Sequence, residues 1–108
     1  MKPSNPAPAY LTIYPGLCEV ARKAGYALAV HGSLVTYMDC VAVPCVKEAW
    51  QRVLLIEEIK AYLEVLFPGM VSTKLTHKPH GRMAVAFNLG NGLQIDLSIF
   101  PPASRDIY

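Results

Sequence analysis

Two short runs of strand-forming residues each carry a single aspartate, and this constrains the chain more than any other feature. The runs are Tyr37-Met38-Asp39-Cys40-Val41-Ala42-Val43 and Leu93-Gln94-Ile95-Asp96-Leu97-Ser98-Ile99. A carboxylate left unpaired in an apolar core costs several kcal/mol. Each aspartate must therefore meet water on a polar strand face, a cation, or a ligand. The first run also follows a Gly32-Ser33 turn that closes an apolar stretch, Tyr26-Ala27-Leu28-Ala29-Val30. Two such strands beside a Gly-Ser turn supply the elements of a divalent-metal and phosphate site.

The remaining segments place these strands in an α+β domain. Leu17, Val20, Ala21 and Ala24 fall at helical spacing, and Gly25 stands at the C-cap position, which predicts a first helix over 16–24. Tyr26–Val30 reads as a buried strand, and 37–43 as a second strand that Pro44 ends. The few residues between them favour an antiparallel hairpin. Ala49, Val53, Ile56, Ile59, Leu63 and Leu66 recur at steps of three or four, which predicts a long helix over 46–67, stopped by Pro68-Gly69. Leu54, Leu55 and Tyr62 lie off that stripe, as ordinary surface apolars or as a self-association face that would make a homo-oligomer.

Asn88-Leu89-Gly90-Asn91-Gly92 joins strands predicted over 83–87 and 93–99, because Asn and Gly accept the positive φ of a tight turn. The expected order is α-β-β-α-β-β, a mainly antiparallel sheet with helices packed on one face. Pro3, Pro6, Pro8 and Pro15 make residues 1–16 read as an extended arm, with the domain proper over 17–101 and an irregular tail over 102–108.

Composition narrows the function classes. At 108 residues, 53% apolar and 17% charged, the chain can build a single core without staples. A net charge of +2 is too small to imply non-specific nucleic-acid binding. No apolar run approaches the roughly 18 residues of a membrane span, so no membrane partner is expected. The odd set Cys18, Cys40 and Cys45 suits small hydrophobes in a reducing cytoplasm; zinc at Cys40 and Cys45 lacks a second ligand pair.

Asp39 and Asp96 are the candidate metal ligands. Magnesium takes one or two protein carboxylates and completes its shell with water and phosphate oxygens. If the two strands are neighbours in register, both carboxylates meet on one edge; otherwise each lies on the solvated face of its own strand. Gly32 and Ser33 offer close backbone approach, N–H groups and a hydroxyl to a phosphate. Lys78-Pro79-His80-Gly81-Arg82 supplies cations, with Arg matched to phosphate geometry, and opens directly into the hairpin that carries Asp96. Lys78, His80 and Arg82 therefore join the binding set, or form a solvated loop. His31 could donate to a phosphate or act as a base, or be structural. A Ser33–His31–Asp96 triad lacks a nucleophile elbow, and His77 and His80 sit on a Pro-containing loop where their spacing has no helical meaning.

Residues Gly25 to Leu34, Met38 to Pro44, Lys78 to Arg82 and Ile95 to Pro101 resemble a family of small phage and prophage proteins. The likeness covers roughly 17–101. That family's second strand usually carries an Asp-x-Asp pair, a pattern similar to the minimal nucleotidyltransferase fold of the polymerase-β type. There a Gly-Ser pair grips the triphosphate and three carboxylates hold two magnesium ions. The resemblance implies phosphate-gripping roles for Gly32 and Ser33, and metal roles for Asp39 and Asp96. Tyr37 stands where the first carboxylate belongs, which should cripple two-metal catalysis.

Three expectations follow. The first is a phage nucleotide- or phosphate-ligand binding protein in the host cytoplasm, sequestering a nucleotide signal of host defence. The second is an inhibitor of a host protein complex. The third is an active magnesium-dependent nucleotidyltransferase with Asp39 and Asp96 in catalysis.

Overall fold

The computed structural model describes residues 6–102. The order is α1 (Ala7–Lys23), β1 (Tyr26–His31), β2 (Met38–Pro44), α2 (Arg52–Leu66), β3 (Val71–Ser72), β4 (Thr76–His77), a 3-10 turn (Pro79–Gly81), β5 (Met83–Gly90) and β6 (Leu93–Ile99). The fold is α+β, a six-stranded mixed sheet ordered β1-β2-β6-β5-β3, with β4 also paired to β5. Pairing is antiparallel except between β2 and β6, which run parallel.

Strand alternation sorts the side chains into two faces. Met38, Cys40 and Ala42 of β2, Ile95, Leu97 and Ile99 of β6, and Met83, Val85 and Phe87 of β5 are buried. Tyr10, Ile13, Leu17 and Ala21 of α1 and Leu55, Ile56, Ile59 and Leu63 of α2 join them in one core. Both helices cover that face, α1 against β1 and α2 against β5. The intervening residues of the strands, Asp39 and Asp96 among them, form the opposite face.

The extended arm expected over residues 1–16 is helical from Ala7 onward. Pro8 sits in the first turn, where the missing N–H has no helical partner in any case. Pro15 lies inside the helix on its solvent side, and the buried stripe Tyr10, Ile13, Leu17 and Ala21 offsets the lost ladder bond. Residues 1–5 and 103–108 of the expected arm and tail fall outside the described residues. Gly25 does follow the α1 C-cap, at φ +91°, and a Cβ there would come within 2.8 Å of the Ala49 Cα.

The second helix starts later than its apolar spacing predicts, at Arg52 instead of 46. Tertiary hydrogen bonds hold the preceding segment out of the helix. The Cys45 N–H donates to the Gly25 carbonyl (2.9 Å), the Trp50 N–H to the Ala24 carbonyl (2.8 Å), and the Tyr26 hydroxyl to the Trp50 carbonyl (2.6 Å). The buried face is also rotated from the expected one: Leu55 is fully buried, while Leu66 is exposed. The Asn91-Gly92 turn forms as expected, both residues at positive φ, between the paired Gly90 and Leu93.

Candidate functional site

The parallel pairing of β2 with β6 places Asp39 opposite Asp96. Their neighbours Met38 with Ile95 and Cys40 with Leu97 are paired and buried beneath the helices. Alternation therefore turns both carboxylates to the open face, on strands about 4.8 Å apart. Like charges side by side repel by about 1 kcal/mol in water at ~4 Å, and by more where solvent is partly excluded. The pair is half-buried on that open face.

Different neighbours meet the two carboxylates. Gln94 Nε2 donates to Asp96 Oδ1 at 2.8 Å. On the other side, a Cβ on Gly32 would come within 3.3 Å of Asp39 Oδ2, and Gly32 has φ +88°. The bare α-carbon is what admits the Asp39 carboxylate there. His31 is the β1 partner of Asp39. The same row of the sheet thus runs from His31 through Asp39 and Asp96 to Ala86.

A groove of about 640 Å³ lies over this row. His31, Asp39, Asp96 and Ser98 line one side, Ala84 and Ala86 the middle, and Thr73, Lys74, Thr76, Lys78 and Arg82 the other side. That volume falls within the range of small-molecule sites. The cationic wall is tied to the sheet. The Thr73 N–H donates to the Ala86 carbonyl (2.9 Å), and the Ala86 N–H donates back to Thr73 Oγ1 (3.0 Å). Arg82 reaches over the face, donating from Nη1 to Ser98 Oγ (3.4 Å) and from Nε to the Pro79 carbonyl (3.2 Å). Its guanidinium lies 6.0 Å from the Phe100 ring centroid.

Buried groups behind the face fix its loops. Arg52, at the start of α2, donates to the Gly81 carbonyl (2.6 Å) and the Ile99 carbonyl (3.2 Å), anchoring the basic turn to the end of β6. The Tyr10 hydroxyl donates to the Thr36 carbonyl (2.7 Å) and accepts from the Gln94 N–H (3.0 Å). Through Tyr10, α1 ties the 32–37 loop to the strand of Asp96. Directly beneath the carboxylates, burial, reinforced by Cys18, Asp39 and Asp96, pushes the Cys40 thiol up to about 12. The thiol stays neutral and packs as a hydrophobe.

Of the residues expected to bind, Asp39, Asp96, Lys78 and Arg82 come together around the groove, with His31 at its end. Gly32, Ser33 and His80 do not line it. Gly32 instead backs the Asp39 carboxylate, and Ser33 Oγ accepts the Val35 N–H (3.4 Å) within its own turn. His80 is exposed on the 3-10 turn at φ +65°. Tyr37, at the missing-carboxylate position, is exposed.

Thr73, Lys74, Thr76 and Ser98 were absent from the expected set. Ser98 shares the i, i+2 parity of Asp96, a signal in the sequence itself; the two threonines reach the groove only through pairing of 71–77 with β5. Among the described residues, no group of three or more His, Cys, Asp or Glu side chains is arranged to hold a metal. Asp39 and Asp96 are hard oxygen donors, and two carboxylates suffice for a magnesium whose shell is completed by water and phosphate. No helix of the described residues is long and apolar enough to cross a membrane. Comparison with protein-family models, with curated proteins and with solved structures finds no match.

Proposed function

We propose that this protein binds a nucleotide, or another phosphate-bearing small ligand, on the open face of its sheet and does not turn it over. The observation that carries this reading is the in-register pair Asp39 and Asp96 facing a wall of Lys74, Lys78 and Arg82 across one groove. Carboxylates alone would repel a phosphate, and cations alone would fit any anion. Both along one groove suit a phosphate that arrives with a divalent cation. Asp39 and Asp96 would hold magnesium, which neutralises phosphate charge when bound. Arg82, held by Ser98 and the Pro79 carbonyl, offers a planar fork to phosphate oxygens. Tyr37 in place of the first of three carboxylates argues for binding without catalysis. The biological setting that fits is a degenerate nucleotidyltransferase-like phage protein that sequesters a nucleotide signal in the host cytoplasm.

A thermal-shift screen against mono-, di-, tri- and cyclic nucleotides, with and without magnesium, tests this. A ligand at 100 times its Kd stabilises the fold by about 2.7 kcal/mol, which moves the melting temperature of a domain this size by about 10 °C. At least one nucleotide should do so, more strongly with magnesium. Flat melting curves across the panel contradict the reading.

A second reading, an inhibitor of a host protein complex, draws on Val46, Trp50 and Leu54, exposed apolar residues around the start of α2. Retained inhibition in a Trp50→Ala, Leu54→Ser variant would exclude that surface. The nucleotidyltransferase alternative requires label from a nucleoside triphosphate to reach an RNA or protein acceptor, and Asp39→Asn to abolish it.

A further inference from the structure

We infer that Ala84 and Ala86 form the seat for a flat ring of the ligand, so that the groove selects a nucleotide over an inorganic phosphate; this rests on the binding reading above. Strand β5 pairs on both sides, with β6 along one edge and β3 and β4 along the other. Interior strand positions favour β-branched and aromatic residues, and alanine is depleted there. The helix-covered residues of β5 are all bulky, Met83, Val85, Phe87 and Leu89. Its open-face residues at the groove are the small Ala84 and Ala86, an alanine at an interior strand position being found also at Ala42 on the covered face of β2.

The positions of Ala84 and Ala86 in the sheet give their small size a purpose. Ala86 is paired with Asp96, and Ala84 with Ser98, on one side. On the other side, Thr76 pairs with Ala84 and the Thr73 N–H bonds the Ala86 carbonyl. The alanines thus form a shallow floor between the acidic strand and the threonine-bearing wall. Two strand spacings, about 10 Å, separate those rims. A hydrated magnesium with one phosphate group does not fill a groove of about 640 Å³. A planar heterocycle laid on two methyl groups uses the floor, with its phosphates turned toward Arg82 and the Asp pair. A larger side chain at 86, beside Asp96 and away from the Arg82–Ser98 contact at Ala84, would fill that space while leaving the carboxylates and cations in place.

Calorimetric titration of the full chain with magnesium pyrophosphate and with magnesium complexes of ATP, GTP, CTP and UTP tests the seat. The wild type should bind at least one nucleotide ten-fold or more tightly than pyrophosphate. Ala86→Leu should remove that advantage, with pyrophosphate affinity changed by less than two-fold. Ala86→Val, a substitution that favours strand formation, should do the same, and circular dichroism with melting checks that each variant folds. Equal wild-type affinity for pyrophosphate and nucleotides overturns the seat and leaves the binding reading standing. So do variants that keep the nucleotide advantage, or that lose pyrophosphate to the same extent. A wild type that binds none of these probes overturns the seat, and the binding reading falls with it only when the mono-, di- and cyclic-nucleotide panel is flat as well.

Discussion

The two faces of the sheet come from the same strands and obey opposite rules. Every second residue of β2, β5 and β6 beneath the helices is apolar and buried: Met38, Cys40, Ala42, Met83, Val85, Phe87, Ile95, Leu97 and Ile99. The residues between them include Asp39, Asp96, Gln94, Ser98 and two alanines. One face is optimised for packing. The other carries a like-charge pair and two small alanines, with no helix packed on it. Where a sequence sets like charges side by side on an uncovered face, ligand binding is the physical reason to test first.

The contrast predicts that damage to the covered face unfolds the protein, whereas damage to the open face disarms it. Phe87→Ala should have the largest effect on stability, about 3–5 kcal/mol in chemical denaturation, because it empties a fully buried site. Gly25→Ala comes next, at about 2 kcal/mol or more. It forces alanine into the left-handed region and drives its Cβ against the Ala49 backbone. Asp39→Asn and Asp96→Asn should reverse the sign, raising the stability of the ligand-free protein by up to about 1 kcal/mol through lost repulsion. Each should also abolish magnesium-dependent binding. A destabilising Asp39→Asn would mean that the carboxylate is a structural group.

A smaller effect probes the boundary between the faces. The buried Cys40 thiol keeps its proton to about 12, against an ordinary 9.0. The Tyr14 hydroxyl is likewise held up to about 12, by hydrogen bonding with the Cys18 thiol and by burial. The folded state therefore binds more protons than the unfolded state above pH 9. The stability they contribute is fully present below that pH and falls as pH rises toward 12. Melting temperatures taken from pH 7 to 11 should decline beyond pH 9, less steeply in Cys40→Ala. At pH 8 a thiol reagent should modify exposed Cys45 and leave Cys40 untouched until the chain unfolds.

How far these features could be read in advance followed the range of the forces that set them. The Asn91-Gly92 turn and the Gly25 cap are local backbone requirements, so the residues announce them. The Asp39–Asp96 juxtaposition was legible as a possibility only: nothing local dictates that β2 pairs with β6, or that it does so in parallel. The Pro-rich start concealed a helix because Tyr10 and Ile13 outweigh Pro15 through contacts distant in the chain. Residues 46–51 look helical by spacing, but backbone bonds to Ala24 and Gly25 hold them otherwise. Thr76 joined the groove through a two-residue edge strand, and Thr73 through hydrogen bonds to Ala86 just past another, segments too short to carry a periodic signal.

The most direct measurement replaces magnesium with manganese. In an amide-resolved NMR spectrum of the isotope-labelled protein with a bound nucleotide, substoichiometric manganese should broaden resonances centred on Asp39 and Asp96. The broadening should fade toward α1 and α2 and vanish in the Asp39→Asn, Asp96→Asn variant. Broadening centred elsewhere, or unchanged by that double substitution, would contradict the assignment of the open face as a metal–phosphate site.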